Sequence, residues 1–318
     1  MATVTHQRDR RSALRAAAFL AALAAIFGGA MAIGSAVGGE GDRSADRAAS
    51  DGAMADMPGG RRADHGETPA AGDGHGEHGA AAPAPTTAHG LGVAENGLRL
   101  VAPATAPAGV RRPFAFRIVD SHGETVRDFA TEHTKRLHLV AVRRDLTGFQ
   151  HLHPRQDADG AWSTGLTLRD AGAYRVFADF RPTGGAATTL ASDVLVGGAF
   201  TPRMLPAPAS SVRVDGYAVT LRARGAIAGG EATLTYTVRR DGRRVAVQPY
   251  LGASGHLVAL RAGDLAYLHV HPLQGGADAG RIAFAATYPS AGSYRLFLQF
   301  RHAGRVHTAA LTQEVATA

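Results

Sequence analysis

Six histidines stand in two identical frames. His138, His151 and His153, followed by Pro154, recur as His256, His269 and His271, followed by Pro272, each displaced by 118 residues. Neutral imidazole is a ligand for borderline transition metals, and sites of this kind bind copper(II) ahead of other first-row divalent ions. The pattern points to metal holding, with copper(II) first and zinc second. Binding should weaken as pH falls, because a protonated imidazole has no lone pair to give. Other candidates flank the first frame. His133 precedes His138 by five residues, and Asp179 interrupts the otherwise apolar run "YRVFADF". Leu251 and Gln299 stand at these two places in the second copy, so a second site built on His256, His269 and His271 is expected to be the weaker.

Short strands must position these side chains. Runs such as "PFAFRIVD", "LHLVAV" and "AYRVFADF" are β-branched and aromatic, and turn signals bound them. A tight turn at Ala262-Gly263 would pair Leu260 with Leu265 and set His256 opposite His269. The same offset sets His138 opposite His151. Residues two apart on a strand share a face, so His153 and His271 join their neighbours. Val140, Val142 and Phe149 fall on the histidine face, which reads as core. The clusters are therefore expected at the rim of each sandwich.

The repeat extends past the histidines. Gly172, Tyr174, Phe177 and Phe180 of "DAGAYRVFADFRP" match Gly292, Tyr294, Phe297 and Phe300 of "SAGSYRLFLQFRH". So long a period is that of a domain, not of a solenoid repeat. The expected fold is all-β: two tandem immunoglobulin-like sandwiches, at residues 95–199 and 208–318, joined by a linker at 200–207.

The N-terminal region differs in kind. Arg8, Arg10, Arg11 and Arg15 precede an apolar Ala/Gly-rich run from Ala16 to Val37. Residues 1–38 read as a cytoplasmic basic flank and a transmembrane signal-anchor, or else as a signal peptide that leaves a secreted product. Either places the β domains outside the cytoplasm. Residues 39–94 read as a disordered linker rich in Gly, Ala and His. It carries His65, His75, His78 and His89, which either gather metal loosely or merely solvate the tether.

Composition excludes several classes. The chain has no cysteine, which rules out thiolate metal sites and cysteine nucleophiles. The net charge of +7 comes almost wholly from arginine, without a basic stripe interleaved with aromatics, so nucleic acid is not an expected partner. No nucleophile elbow or phosphate-cradling loop is present. An enzyme is not expected, and a metal-dependent hydrolase is the residual alternative.

The stretch "HTKRLHLVAVRRDLTGFQHLHP", followed by "AGAYRVFADF", resembles the secreted YtkA-like proteins, immunoglobulin-like domains in the company of CopC-type copper-binding sandwiches. The resemblance implies an envelope location and a part in handling copper or another heavy metal. It falls on His133, His138, His151 and His153. The expected protein is membrane-anchored and extracytoplasmic, and it binds a transition metal. The alternative is an adhesion or interaction module whose histidines are structural and whose partner is another envelope protein.

Overall fold

A strand apolar at nearly every position must be covered on both faces. Leu137–Arg143 is such a strand, and all seven of its residues are buried. The computed structural model of the chain describes residues 88–268, 270–274 and 279–318, all within one compact unit. The expected anchor segment and most of the tether lie outside the described residues. Among the described residues the regular structure is all β, and no helix is long and apolar enough to cross a membrane.

The first sandwich contains β1 (Ala94–Glu95), β2 (Leu98–Val101), β3 (Thr105–Ala106), β4 (Arg112–Val119), β5 (Leu137–Arg143), β6 (Gln150–Leu152), β7 (Arg155–Gln156), β8 (Trp162–Leu166), β9 (Gly172–Phe180) and β10 (Thr188–Val196). One sheet runs β1-β2-β4-β8-β7 and the other β3-β10-β9-β5-β6. Phe114, Phe116, Ile118 and Trp162 of the first sheet pack against Leu137, Leu139, Tyr174 and Val176 of the second.

The second sandwich repeats the plan with β11 (Ser211–Val214), β12 (Tyr217–Arg224), β13 (Glu231–Arg240), β14 (Arg243–Arg244), β15 (His256–Arg261), β16 (Tyr267–Leu268), β17 (Val270–Leu273), β18 (Arg281–Thr287), β19 (Gly292–His302) and β20 (Arg305–Val315). Its sheets run β11-β12-β13-β18-β17, with β14 on β13, and β16-β15-β19-β20. One hydrogen bond marks the duplication. The Tyr174 hydroxyl donates to the Asp170 carbonyl at 3.1 Å, and the Tyr294 hydroxyl to the Ser290 carbonyl at 2.9 Å.

The two sandwiches share a third apolar layer. Val140, Val142, Leu146 and Phe177 point away from the first core and meet Val258, Leu260, Leu265, Tyr267 and Phe297 of the second sandwich. Four sheets are thus stacked with three apolar layers between them. The middle layer has an approximate two-fold relation. Phe149 stacks on Phe297 with centroids 4.1 Å apart, and their repeat counterparts Tyr267 and Phe177 meet at 5.4 Å. An isologous contact has this reciprocity, here within one chain.

Two connecting segments seal the layer. The Arg175 guanidinium donates to the carbonyls of Gly90 and Leu91, and Tyr267 N–H donates to the His89 carbonyl at 2.9 Å. Gly90 has φ +66°, and a Cβ there would lie 2.9 Å from the Phe177 ring, so both backbone and space call for glycine. Between the sandwiches, Leu205 packs against the layer and Arg203 N–H donates to the Asp145 carboxylate at 2.9 Å.

The hairpin register differs from the expected one by two residues. Leu260 pairs with Tyr267 and Val140 with His151. Asp264 explains the wider loop: it accepts from Ala266 N–H and from Arg261, which holds four residues in the turn. In the first copy Asp145 accepts from Arg143 and from Thr147 N–H. Leu146 and Leu265 take left-handed φ values of 62° and 60°, and both side chains enter the middle layer. A shift of two keeps every residue on its face, so the histidines still share one.

Removing a stacked ring from the middle layer leaves a cavity between two preformed cores. Phe297→Ala should lower the unfolding free energy by about 3 kcal/mol, read from denaturant titration of the full chain. A loss below about 0.5 kcal/mol would mean that the layer is loosely packed.

Candidate functional site

Strand parity delivers the histidines. Leu137, Leu139 and Ala141 face the first core, so His138, Val140 and Val142 face the middle layer. His151 lies on β6 opposite Val140, and His153 follows two residues later, before Pro154. His256 opens β15, whose Val258 and Leu260 face the same layer from the other side. Imidazoles from both sandwiches therefore meet at one end of the shared layer.

The cluster is dense. His138 Nδ1 and His151 Nε2 are 3.0 Å apart. One ligating nitrogen from each of His138, His151 and His153 lies within 4.8 Å of the others. His256 stacks on His151 at 4.6 Å and on His138 at 5.4 Å, nearly parallel to both. Two nitrogens, His153 Nε2 and His256 Nε2, are buried and meet no hydrogen-bond partner.

Counting protons shows what the cluster lacks. His138 Nε2 faces the Glu132 carbonyl at 3.3 Å, and His151 Nδ1 faces Gln299 Oε1 at 2.7 Å. Both outer contacts are to oxygen acceptors, so both outer nitrogens must carry the proton. Two neutral rings have only two protons to give. The inner nitrogens, 3.0 Å apart, are then both lone pairs. A cation between them resolves the conflict. So does turning the Gln299 amide over, which lets its nitrogen donate to His151 Nδ1 and completes a neutral chain.

The outer carbonyls are the kind of support that metal-bound histidines receive, since they fix tautomer and ring orientation. With metal–nitrogen distances of about 2.0–2.1 Å, adjacent ligands lie about 2.9 Å apart at a right angle and about 3.3 Å at the tetrahedral angle. The 3.0 Å pair fits this range. The 4.8 Å span exceeds the limit of about 4.1 Å for two opposed ligands, so a ring must close in to complete a three-nitrogen set.

Electrostatics keeps the rings neutral. Burial pushes His138 down to about 4, helped by the nearby His133 and resisted by the Glu132 carbonyl. Burial takes His151 to about 3, with His138 adding to the effect, and His153 to about 4. Burial and then His151 hold His256 well below the ordinary range. At neutral pH the cluster offers lone pairs rather than charges.

The remaining candidates are placed as follows. His133 is exposed on the two-residue turn closed by reciprocal Glu132–Lys135 backbone bonds, its ring 5.9 Å from His256 and 6.2 Å from His138. His133 and Thr134 have φ of 48° and 68°, and the equivalent turn in the second copy uses Leu251 and Gly252. Asp179 sits opposite His138 on β9 but accepts from the Thr189 hydroxyl at 2.9 Å, and burial raises it to about 6. His271 is exposed on β17, in the outer sheet of the second sandwich. His269 lies outside the described residues. Two further histidines of the second sandwich, His302 and His307, are bonded to Tyr217 and to Asp215. The structure thus unites His138, His151, His153 and His256, with His133 at the margin. Gln299, expected only as a lost ligand, is the hydrogen-bond partner of His151. Its sequence signal was a polar residue inside "YRLFLQF".

Paired sheets around an apolar core, twice over and antiparallel except for β3 on β10, define a tandem immunoglobulin-like β-sandwich protein. The chain belongs to the family described as domain of unknown function DUF8832, which matches it at residues 94–198 and again at 212–317. Among curated proteins none matches it. Similar solved structures include domains 5–6 of the S-layer protein SbsC, 11% identical over 68% of this chain and 94% of that one, with TM-score 0.23. Invasin, a bacterial integrin-binding protein, is 16% identical over 70% of this chain and 39% of its own, with TM-score 0.23. InvD of Yersinia pseudotuberculosis is 13% identical over 70% of this chain and 58% of its own, with TM-score 0.23. The chain spans less than two thirds of the invasin and InvD chains.

The depressed histidines set a pH dependence for the metal-free protein. The folded state holds these rings neutral down to about pH 4, whereas the unfolded chain protonates them near 6.5. Between these limits the unfolded chain binds more protons, so stability is full above about pH 6.5 and is lost as pH falls. The slope is about 1.4 kcal/mol per pH unit for each histidine concerned. Asp179 opposes this between 3.8 and about 6, since its raised value makes the folded state bind the extra proton there. Net destabilisation from pH 7 to 4.5 is expected in chemical denaturation. A flat profile would show that the rings titrate freely.

Proposed function

We propose that this protein holds a single transition-metal ion between its two sandwiches, with His138, His151 and His153 as ligands and His256 stacked over them. The observation that carries this reading is the pair of inner nitrogens, 3.0 Å apart, whose outer partners are both carbonyl oxygens. Copper(II) is the favoured ion because imidazole sites rank it first, and zinc is second. The YtkA-like and CopC-type resemblance of the His133–Pro154 stretch points the same way. Asp179, the carboxylate candidate from the sequence, is buried and bonded to Thr189, and holding rather than hydrolysis is the role we assign. His256 stacks over the first trio while His271 is exposed on the outer sheet of the second sandwich, so one ion rather than two is the stoichiometry we assign.

The N-terminal basic flank and apolar run support a single-pass anchor with the β domains outside the cytoplasm, or secretion if the segment is cleaved. The tether histidines would then collect ions loosely beside the site.

A second reading has its own observation. With the Gln299 amide turned, the chain from Glu132 through His138 and His151 to Gln299 is fully hydrogen-bonded without an ion. The histidines then serve as a polar clasp, and the protein is an envelope interaction module built on a rigid sandwich pair.

Copper(II) and zinc(II) titrations of the full chain separate the two. Metal holding predicts one tight equivalent that disappears when His138, His151 and His153 are changed together to alanine, while weak tether binding remains. Gln299→Leu should weaken the tight equivalent by about 10–100-fold, the usual cost of losing such a supporting partner. Identical weak isotherms for wild type and the triple variant would leave the interaction module as the reading.

A further inference from the structure

Beside the histidine end of the first sandwich, a cleft of about 400 Å³ opens between the turn before β5 and strands β7 and β8. The charged groups in its wall are all cations: Lys135, Arg136 and Arg155. None of the three meets a carboxylate within ion-pair distance among the described residues. The Arg136 guanidinium lies over the Trp162 ring, 5.4 Å from its centre. Trp162 is 2% exposed, lines the same cleft, and its Nε1 has no hydrogen-bond partner.

A buried indole N–H is a donor only, and almost every such group in a folded protein has an acceptor. Like charges gathered without a counter-charge repel one another, and no carboxylate among the described residues lies within ion-pair distance of these three. Both deficits are met by the same thing, an anion with several oxygens. Guanidinium groups bind such anions through paired N–H contacts, and an ammonium adds a point charge. We propose that this cleft binds a small oxyanion with at least two anionic oxygens, a phosphate or a dicarboxylate. Arg136, Arg155 and Lys135 would supply charge, and Trp162 Nε1–H a directional bond.

The cleft lies on the other face of β5 from the imidazole cluster: Leu137, which lines it, faces the first core, so His138 faces away, and of the lining cations Lys135 alone bears electrostatically on His138 and His153. The inference does not rest on the metal reading and stands if that reading fails.

Trp162 is the only tryptophan in the chain, so tryptophan emission of the full-length protein reports on this cleft alone. Inorganic phosphate and malonate are titrated at pH 7.5, with chloride at matched ionic strength as control. A saturable change with either oxyanion, absent with chloride, is expected, and the tighter midpoint distinguishes phosphate from dicarboxylate. Arg136 and Arg155 are both exposed, so the Arg136→Gln/Arg155→Gln double variant should fold normally by circular dichroism. Its midpoint should move at least tenfold. The proposal is overturned if chloride reproduces the change, if the double variant titrates as wild type, or if neither oxyanion gives an emission change or a heat of binding.

Discussion

The structure depends on the burial of its two inner sheets on both faces. Each of β5 and β15 gives one set of alternate residues to its own sandwich core and the other set to the layer shared with its counterpart. A sandwich alone would leave Val140, Val142 and Phe177 in water on one side, and Val258, Leu260 and Phe297 on the other. Packing these surfaces together removes both from water, and apolar burial is the main favourable term in such contacts. The duplication supplies self-complementarity, because a surface that packs against its own copy needs to be devised only once.

That same layer traps the imidazoles. Histidine on an inner face has nowhere to go but the interface, and burial there disfavours its charged form. The cluster must be satisfied by hydrogen bonds or by an ion. Three contacts, two protons and two oxygen termini leave it one cation or one amide rotation short of balance. Gln299 is the adjustable element: its amide can present oxygen or nitrogen to His151, while a carboxylate there would only accept.

The two copies have diverged where this balance is struck. The first contributes three clustered rings, and the second contributes His256 and Gln299. His133 faces Leu251 across the pseudo-symmetry, and Asp179 corresponds to Gln299. Comparing copies in sequence reads these changes as ligands kept and ligands lost. In the assembled layer Gln299 instead supports the other copy's histidine, so the difference between copies is a division of labour within one site.

The sequence alone determined the two-copy plan, the β class and the face on which the histidines lie. These follow from local rules: a repeat implies a shared fold, and alternation assigns faces whatever the register. It read the histidine face as core, and that face is buried. What it could not determine was what buries it. Val140 is equally apolar whether it meets its own sandwich or the next, so periodicity has no means of telling a core from a docking layer. The loop length was hidden too, because Asp264 and Asp145 set it through side-chain bonds that leave no trace in hydrophobic pattern. Only the tertiary structure decided that His256 joins the first trio, since that contact depends on the packing of two surfaces distant in the chain and not on the spacing within either.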